Sequence, residues 1–476
     1  MANPSPLEFR ESELKRMNAL IDASPESPDA IEARFYRANL LMELGRIEQA
    51  RTAYMELLTL DPAHFGALNN FGNLLYTTGY QSAARKAYLQ AIETHPGNPM
   101  GYVNLANLQT LANETDSAID NFEHALRLDP NNAGANRGLA AIYSWKDEAL
   151  AAEYGKKGFE NQPVLDLPYV GRGEPVRLLM LVASAGVVPL RHHLDANIFH
   201  VSALFVEYAD LTKPLPPHDK VINAIGNADS RGAALDAALK VLEKTTAPVI
   251  NHPSRIMNTG RARIAERLSG IPGVATPATL SLPRETLEEK GVDGLGFNFP
   301  LLLRSPGFHT GRYFVRVDTE RDFAASLASL PGSEIFVIQF MDTSDCEGKY
   351  RKYRVMTIGG ELYPLHAAVS RDWKVHYFTA DMIENPEHRA EDAAFLDNMP
   401  SVMGRRAMDA LHRINETLGL DYGGIDFGTN ADGDVVLFEA NATMVVYPPD
   451  KDERWDYRRP AVQRALDAVR RLLTAS

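Results

Sequence analysis

The sequence predicts a multidomain protein: an all-α helical repeat, then an α/β segment, then an α+β segment. Three observations carry this reading. Pro62, Pro96 and Pro130 recur at a spacing of 34 residues, and a fixed period of that length marks stacked helical units. From about residue 177, short β-branched runs such as "VRLLMLVA", "HVSALFVEYA", "KVINAIG" and "APVINHP" alternate with helical stretches such as "DSRGAALDAALKVLEKTT", the pattern of a mostly parallel sheet. From about residue 274, strands joined by hairpin signals take over, among them "TIGGEL" and "NADGDV". At 476 residues the chain also exceeds what one hydrophobic core ordinarily organises.

The repeat shows in further series at the same step: Ala50, Ala84, Ala118 and Ala152; Tyr54, Tyr88 and Phe122; Ala38, Gly72 and Ala106. The small residues let paired helices approach closely, and the aromatic fills the gap between units. Each proline ends a helix and turns the chain. Period and residue types resemble the tetratricopeptide repeat, two antiparallel helices per unit. Three repeats cover about 31–130. A fourth keeps Tyr143 and Ala152 but has Lys156 at the aromatic position, a polar variant of the kind a capping repeat needs. "LEFRESELKRMNALIDA" reads as a leading helix. Residues 1–163 are therefore assigned to a tetratricopeptide solenoid. Such a surface takes a protein or peptide partner or a second copy of itself; a plain packing device stands as the other reading.

Composition narrows the function. Lys and Arg number 49 against 62 Asp and Glu, a formal net charge of −13, which argues against nucleic acid or an anionic membrane as partner. The single cysteine, Cys346, cannot form an internal disulfide or a cysteine-based zinc site. "MANPSPLEFRESELKR" has no apolar signal core, and "LLMLVASAGVVPL" is too short to span a bilayer. A cytoplasmic setting is expected.

"ENQPVLDLPYVGRGEPVR" is rich in proline and glycine, and residues 164–176 read as a linker. An α/β domain is expected over 177–253 and an α+β domain over 254–476. Strands are expected at "FPLLLRSPG", "GRYFVRV", "EIFVIQFMD", "KVHYFTA", "GGIDFGT" and "DVVLFEAN", with a closing amphipathic helix at "RRPAVQRALDAVRRLLTAS". "ASAGVVPLRHHLD" is a small-residue turn without a glycine fingerprint, and His192 and His193 in it read as helix-surface residues.

The stretch "GGIDFGTNADGDVVLFEAN" carries acids on both arms of a turn. With Asp432-Gly433 at the tip, Asp426 falls opposite Glu439, and strand alternation puts Asn441 on the same face. Like charges facing across a strand pair repel. Two carboxylates and an amide oxygen suit a hard divalent cation, and magnesium leaves room for water and phosphate; a solvated acidic face is the alternative. Upstream, Arg304 ends an apolar strand, Gly307 and Gly311 lie in the loop after it, and "EIFVIQFMDT" stops at Gln339 to Asp342. Glycine-bearing loops bring backbone N–H groups to phosphate oxygens.

In this order of features the chain from about 176 to 476 resembles the ATP-grasp ligases, the superfamily of D-alanine–D-alanine ligase, glutathione synthetase and the ribosomal-protein glutamate ligases. The resemblance implies an α/β pre-ATP-grasp domain followed by the ATP-grasp fold. It implies Asp426, Glu439 and Asn441 as magnesium ligands. It implies ATP on Arg261, Arg304, Gly307, Gly311, Gln339, Phe340, Met341 and Asp342, and Arg304 and Arg354 as catalytic residues beside the transferred phosphate. Both phosphate positions are usually lysine and are arginine here, a change that keeps bidentate phosphate binding. After Asn441, "ATMVVYPPD" replaces a small-Pro-Gly turn. His366, Arg371, Trp373, Lys374 and His376 are assigned to the substrate, with Trp373 and Tyr377 as walls; a half-buried hairpin with a polar face is the plain reading. The implied activity is an ATP- and magnesium-dependent carboxylate–amine ligation through an acyl phosphate, on a small-molecule or peptide substrate. The alternatives are a repeat scaffold whose nucleotide-binding half has lost catalysis, and a small-molecule kinase.

Overall fold

The computed structural model describes residues 6–144, 146–160, 162–167, 169–184, 193–308, 311–376, 380–449 and 452–475. It divides into two compact units, one of residues 1–178, 184–186 and 195–210, the other of residues 179–183, 187–194 and 211–476. His192 and Tyr377 lie outside the described residues.

In the first unit a leading helix α1 (Pro6–Ala23) precedes four helix pairs: α2 (Pro28–Glu43) with α3 (Ile47–Leu60), α4 (Phe65–Thr77) with α5 (Gln81–Thr94), α6 (Pro99–Leu111) with α7 (Thr115–Leu128), and α8 (Ala133–Tyr143) with α9 (Glu148–Phe159). Local chemistry starts and stops each one. Ser27 and Asn98 cap α2 and α6 through their side chains, with Pro28 and Pro99 in the first turn. Gly45, Gly79 and Asn113, again 34 apart, take positive φ just past α2, α4 and α6 and end them as left-handed caps. Ala38, Ala50, Ala84, Ala106 and Ala118 are fully buried. The Tyr54 and Tyr88 hydroxyls donate to Asn39 and Asn73 within their own units. Phe122 has no hydroxyl, and its ring covers Gly138 as that of Tyr88 covers Gly72; a Cβ added at Gly138 would lie 2.1 Å from the Phe122 ring.

Part of the segment expected to be linker is a strand. Here β1 (Val164–Leu167) pairs antiparallel with β3 (Phe199–Phe205), and Phe159 packs on Phe205 and Tyr208. Strand β2 (Val176–Val182) runs from the first unit into the second.

In the second unit, β4 (Lys220–Asn223) pairs in parallel with the two-residue β5 (Val249–Ile250), with α10 (Gly232–Leu242) between them in sequence. The expected mostly parallel arrangement thus holds for β4 and β5 but not for β1 and β3. Short helices α11 (Pro253–Ile256) and α12 (Arg261–Leu268) lead to β6 (Val274–Ala275).

Two sheets follow. The four-stranded one has the order β7 (Thr279–Pro283), β10 (Glu334–Gln339), β8 (Leu301–Arg304), β9 (Phe314–Val317), with every pair antiparallel. Helices α13 (Arg284–Lys290) and α14 (Glu320–Ala328) accompany it. Strand alternation divides its side chains: Leu301, Leu303, Ile335 and Val337 join Phe323 and Leu327 in one core, while Leu302, Phe336 and Ile338 face Phe314, Phe340 and Trp373.

The five-stranded sheet has the order β12 (Glu361–Ser370), β11 (Tyr350–Ile358), β13 (Tyr422–Thr429), β14 (Val435–Asn441), β6. Helices α15 (Pro386–Asp397), α16 (Met399–Leu418) and α17 (Arg459–Thr474) belong to the same unit, and Gly404 breaks the regular helix inside α16.

Two expectations need correction. "KVHYFTA" forms no strand at 374–376, and 377–379 lie outside the described residues; the Lys374 ammonium reaches instead for the Gly311 and Phe314 carbonyls. His193 is not on a helix surface. Its ring is buried and accepts from the Val446 backbone N–H at 3.0 Å. Among the described residues, no helix is long and apolar enough to cross a membrane.

Gly138→Ala should destabilise the repeats by about 1–3 kcal/mol, the usual cost of over-packing a tight core. Adding Phe122→Leu should recover part of the loss; chemical unfolding followed by far-UV dichroism measures both.

Candidate functional site

Asp426 lies near the middle of β13 and has charged neighbours on both sides. The register pairs it with Arg354 on β11 and with Glu439 on β14. A carboxylate buried this completely must be neutralised or paired, and two cations do so. Arg354 Nε and Nη2 donate to its two oxygens at 2.6 and 2.8 Å, and Lys352 Nζ lies 2.6 Å from Oδ2. Burial opposes the charge, but Arg354 and then Lys352 outweigh it and hold the carboxyl far below its usual range.

Glu439 repeats the arrangement with other cations. Arg261, at the start of α12, donates to it at 2.8 Å. Burial again raises its pKa, and Arg261 and Arg304 together turn the shift downward. Arg304 ends β8 in the other sheet; burial, then the neighbouring Arg261, pushes its guanidinium down to about 10, while Glu439 and Asp229 act the other way. Its Nη2 donates to the Phe308 carbonyl at 2.7 Å, inside the loop of Gly307 and Gly311, both of which have positive φ. Asp229 accepts the Arg261 N–H at 3.1 Å. Gly260 makes room for it, since an added Cβ would meet its oxygen at 2.5 Å. One cluster therefore gathers Arg261, Arg304, Arg354, Lys352, Asp229, Asp426 and Glu439.

A β-bulge sets the local geometry. Asp426 pairs with Glu439, but Phe427 pairs with Leu437, so Phe438 has no partner across the hairpin. The extra residue turns the strand locally and leaves Phe438 partly exposed, its ring against Gly428. The chain after Asn441 is an anchored strap. Ala442, Met444 and Val446 are buried. Asn251 donates to the Ala442 carbonyl at 2.8 Å, Tyr422 to the Met444 carbonyl, and the His193 ring bonds Val446. Met444 sits so close over Gly424 that an added Cβ would lie 2.3 Å from its sulfur.

The donors present suit magnesium: two ionised carboxylates in register, with the Asn441 amide oxygen two residues on, now accepting the Thr443 N–H at 2.9 Å. Among the described residues, no group of three or more His, Cys, Asp and Glu forms a metal cluster.

The remaining assigned residues divide by location. At the end of β10, the Gln339 side chain accepts from the Asn298 N–H at 3.3 Å. The Phe340 ring lies 6.2 Å from Trp373 and has Arg316 over it. Met341 is half-buried, and Asp342 caps the Ser344 N–H at 2.9 Å. Trp373 packs on the four-stranded sheet, and Lys374 reaches its glycine loop. Arg371 is exposed. His366 is buried across from Arg354 on β12, and burial followed by Arg354 drives its pKa well down. His376 is half-buried and shifted down by burial and then by Lys352 and Arg354. Behind His366, buried Asp392 accepts from Ala367 N–H and Tyr457 Oη, both at 2.6 Å, and pairs with Arg458, fixing β12 from below.

Sequence reasoning missed Lys352 and Asp229. Lys352 carried one signal: in "RKYR" it shares a strand face with Arg354.

With this geometry in place, comparison with known proteins gives the following. Family models of the tetratricopeptide repeat match residues 14–64, 35–99 and 101–132, and the N-terminal region is built of these repeats. MamA from Desulfovibrio magneticus RS-1 is 22% identical over 32% of this chain and 84% of its own, with a TM-score of 0.28. YrrB, a repeat protein with an unusual peptide-binding site, is 18% identical over 31% of this chain and 75% of its own, with a TM-score of 0.27. The VanG D-Ala:D-Ser ligase from Enterococcus faecalis is 11% identical over 63% of this chain and all of its own, with a TM-score of 0.41. Comparison with curated proteins finds no match.

Asp426→Asn leaves two largely buried cations without their counter-charge. It should cost about 3–5 kcal/mol of stability, measured as a lowered urea midpoint; an unchanged midpoint would show the pairs to be incidental.

Proposed function

We propose that the second unit is an ATP- and magnesium-dependent carboxylate–amine ligase of the ATP-grasp type, and that the repeats bring it a peptide or protein substrate or a second copy of the chain. One observation carries this reading: facing acids, Asp426 and Glu439, lie within a ring of four cations contributed by α12, β8 and β11. Such a concentration of paired charge suits a polyphosphate and the cation that accompanies it.

The chain's own residues would divide the work. Arg261 and Arg304 bind phosphate oxygens, and the loop of Gly307 and Gly311 offers backbone N–H groups. The end of β10, Gln339 to Asp342, borders the base. Asp426, Glu439 and Asn441 would hold magnesium, which supplies charge neutralisation for the triphosphate. Arg354 offsets charge on the phosphoryl group in flight. The substrate carboxylate attacks the γ-phosphorus, the bond to ADP breaks, and an acyl phosphate forms. An amine then attacks the acyl carbon, inorganic phosphate leaves, and the amine proton goes to solvent. The protein contributes position and charge rather than a covalent nucleophile. His366, kept neutral by burial, adds no charge beside Arg354, while His376, Arg371, Trp373 and Lys374 border the side from which substrate arrives.

ADP release measured with candidate carboxylates, with and without amines, tests this. Turnover that needs both substrates supports the ligase. A stable phosphorylated product without amine indicates a kinase, and ATP binding with no ADP under any condition indicates a scaffold. Glu439→Gln should lower turnover on the order of 100-fold or more while the protein remains folded.

A further inference from the structure

Asp426 is more heavily committed than a metal ligand would need to be. A carboxylate offers roughly four lone-pair sites, and three donors already fill most of them: Arg354 Nε, Arg354 Nη2 and Lys352 Nζ. Glu439 is held by Arg261, and the Asn441 amide oxygen by the Thr443 N–H. Each member of the proposed metal set thus has a partner of its own. Four cations, Lys352, Arg354, Arg261 and Arg304, face three acids, Asp426, Glu439 and Asp229. The cluster is already one positive charge in excess, and a divalent ion entering alone would deepen that excess in a buried setting. Arriving with a polyphosphate, the same ion brings the negative charge that offsets it.

We propose that Lys352, beside Arg354, stands in for the metal at Asp426 until phosphate oxygens arrive to receive its ammonium, so that the site takes up cation and nucleotide together and not cation alone. The proposal rests on the ligase reading of this site. Lys352 is the member that moves. It holds Asp426 by one contact on a flexible stem, whereas the Arg354 fork grips both oxygens. Its side chain keeps 17% exposure while that of Asp426 keeps 1%, so the ammonium can turn toward ligand and the carboxylate cannot. Lys352 and Arg354 also project from the same face of β11, two residues apart, and phosphate oxygens reaching one would reach the other.

Manganese(II), titrated into the full-length chain and followed by electron paramagnetic resonance, tests this with and without β,γ-methylene-ATP. The wild-type protein should bind Mn2+ weakly alone and at least tenfold more tightly with the nucleotide analogue. Lys352→Met should tighten nucleotide-free Mn2+ binding tenfold or more and shrink that coupling. Its fold is protected because Arg354 still neutralises Asp426, and Lys352→Arg, which keeps a cation at that position, should leave nucleotide-free Mn2+ binding at least as weak as in the wild type. Normal analogue binding with Mn2+ affinity unchanged by Lys352→Met, or equal wild-type Mn2+ affinity with and without analogue, overturns the proposal alone. Failure of every variant to bind the analogue overturns the ligase reading and the proposal with it.

Discussion

The buried triad of Asp426, Arg354 and Lys352 is the constraint around which the second unit is organised. A carboxylate without solvent must keep its partners at hydrogen-bonding distance, or the sheet carries an uncompensated charge. That requirement fixes the register of β11 against β13, since a slip of one residue would turn both cations to the opposite face. It also fixes β14, whose bulge at Phe438 keeps Glu439 opposite Asp426 while the strand continues into its apolar half. Arg261 and Arg304 extend the same charge pattern into α12 and the four-stranded sheet. The two sheets are therefore linked through charge and not only through apolar packing.

Much of the architecture could be read from residue order, for reasons that differ by region. The repeats solve one packing problem several times, so their prolines and small residues echo at a constant interval. The hairpin was readable in outcome, since Asp426 does face Glu439 as a turn at Asp432-Gly433 implies, but the bulge at Phe438 that brings the two into register has no signature in the residue pattern. Local pattern says little about partners that meet from distant parts of the chain. "RKYR" looks like a solvated strand end, and only the fold carries Lys352 to Asp426. Asp229 and His193 likewise take their partners from segments 32 and 253 residues away. "KVHYFTA" has strand-like alternation, yet residues 374–376 form no strand and the Lys374 side chain reaches the glycine loop. The glycines and asparagine that end α2, α4 and α6 recur at the repeat interval yet do not declare themselves, because a left-handed cap is a backbone property that composition hides.

The assigned substrate residues show the same division. His366 belongs to the charged sheet, where Asp392 and Arg458 support it from behind, whereas Trp373 and Lys374 reach across to the other sheet. A short stretch of sequence thus serves two surfaces. Their proximity in the chain reflects a turn after β12.

Asn251 shows how narrowly such a structure limits sequence drift. Buried at positive φ, it accepts N–H groups from Asp421 and Tyr422 and gives its two amide hydrogens to the Tyr422 and Ala442 carbonyls. Aspartate would set a charge against those carbonyls, glutamine would overreach, and glycine would keep the backbone angle but lose all four bonds. One side chain thus pins the start of β13 to the strap that follows Asn441, and almost no other residue could replace it there.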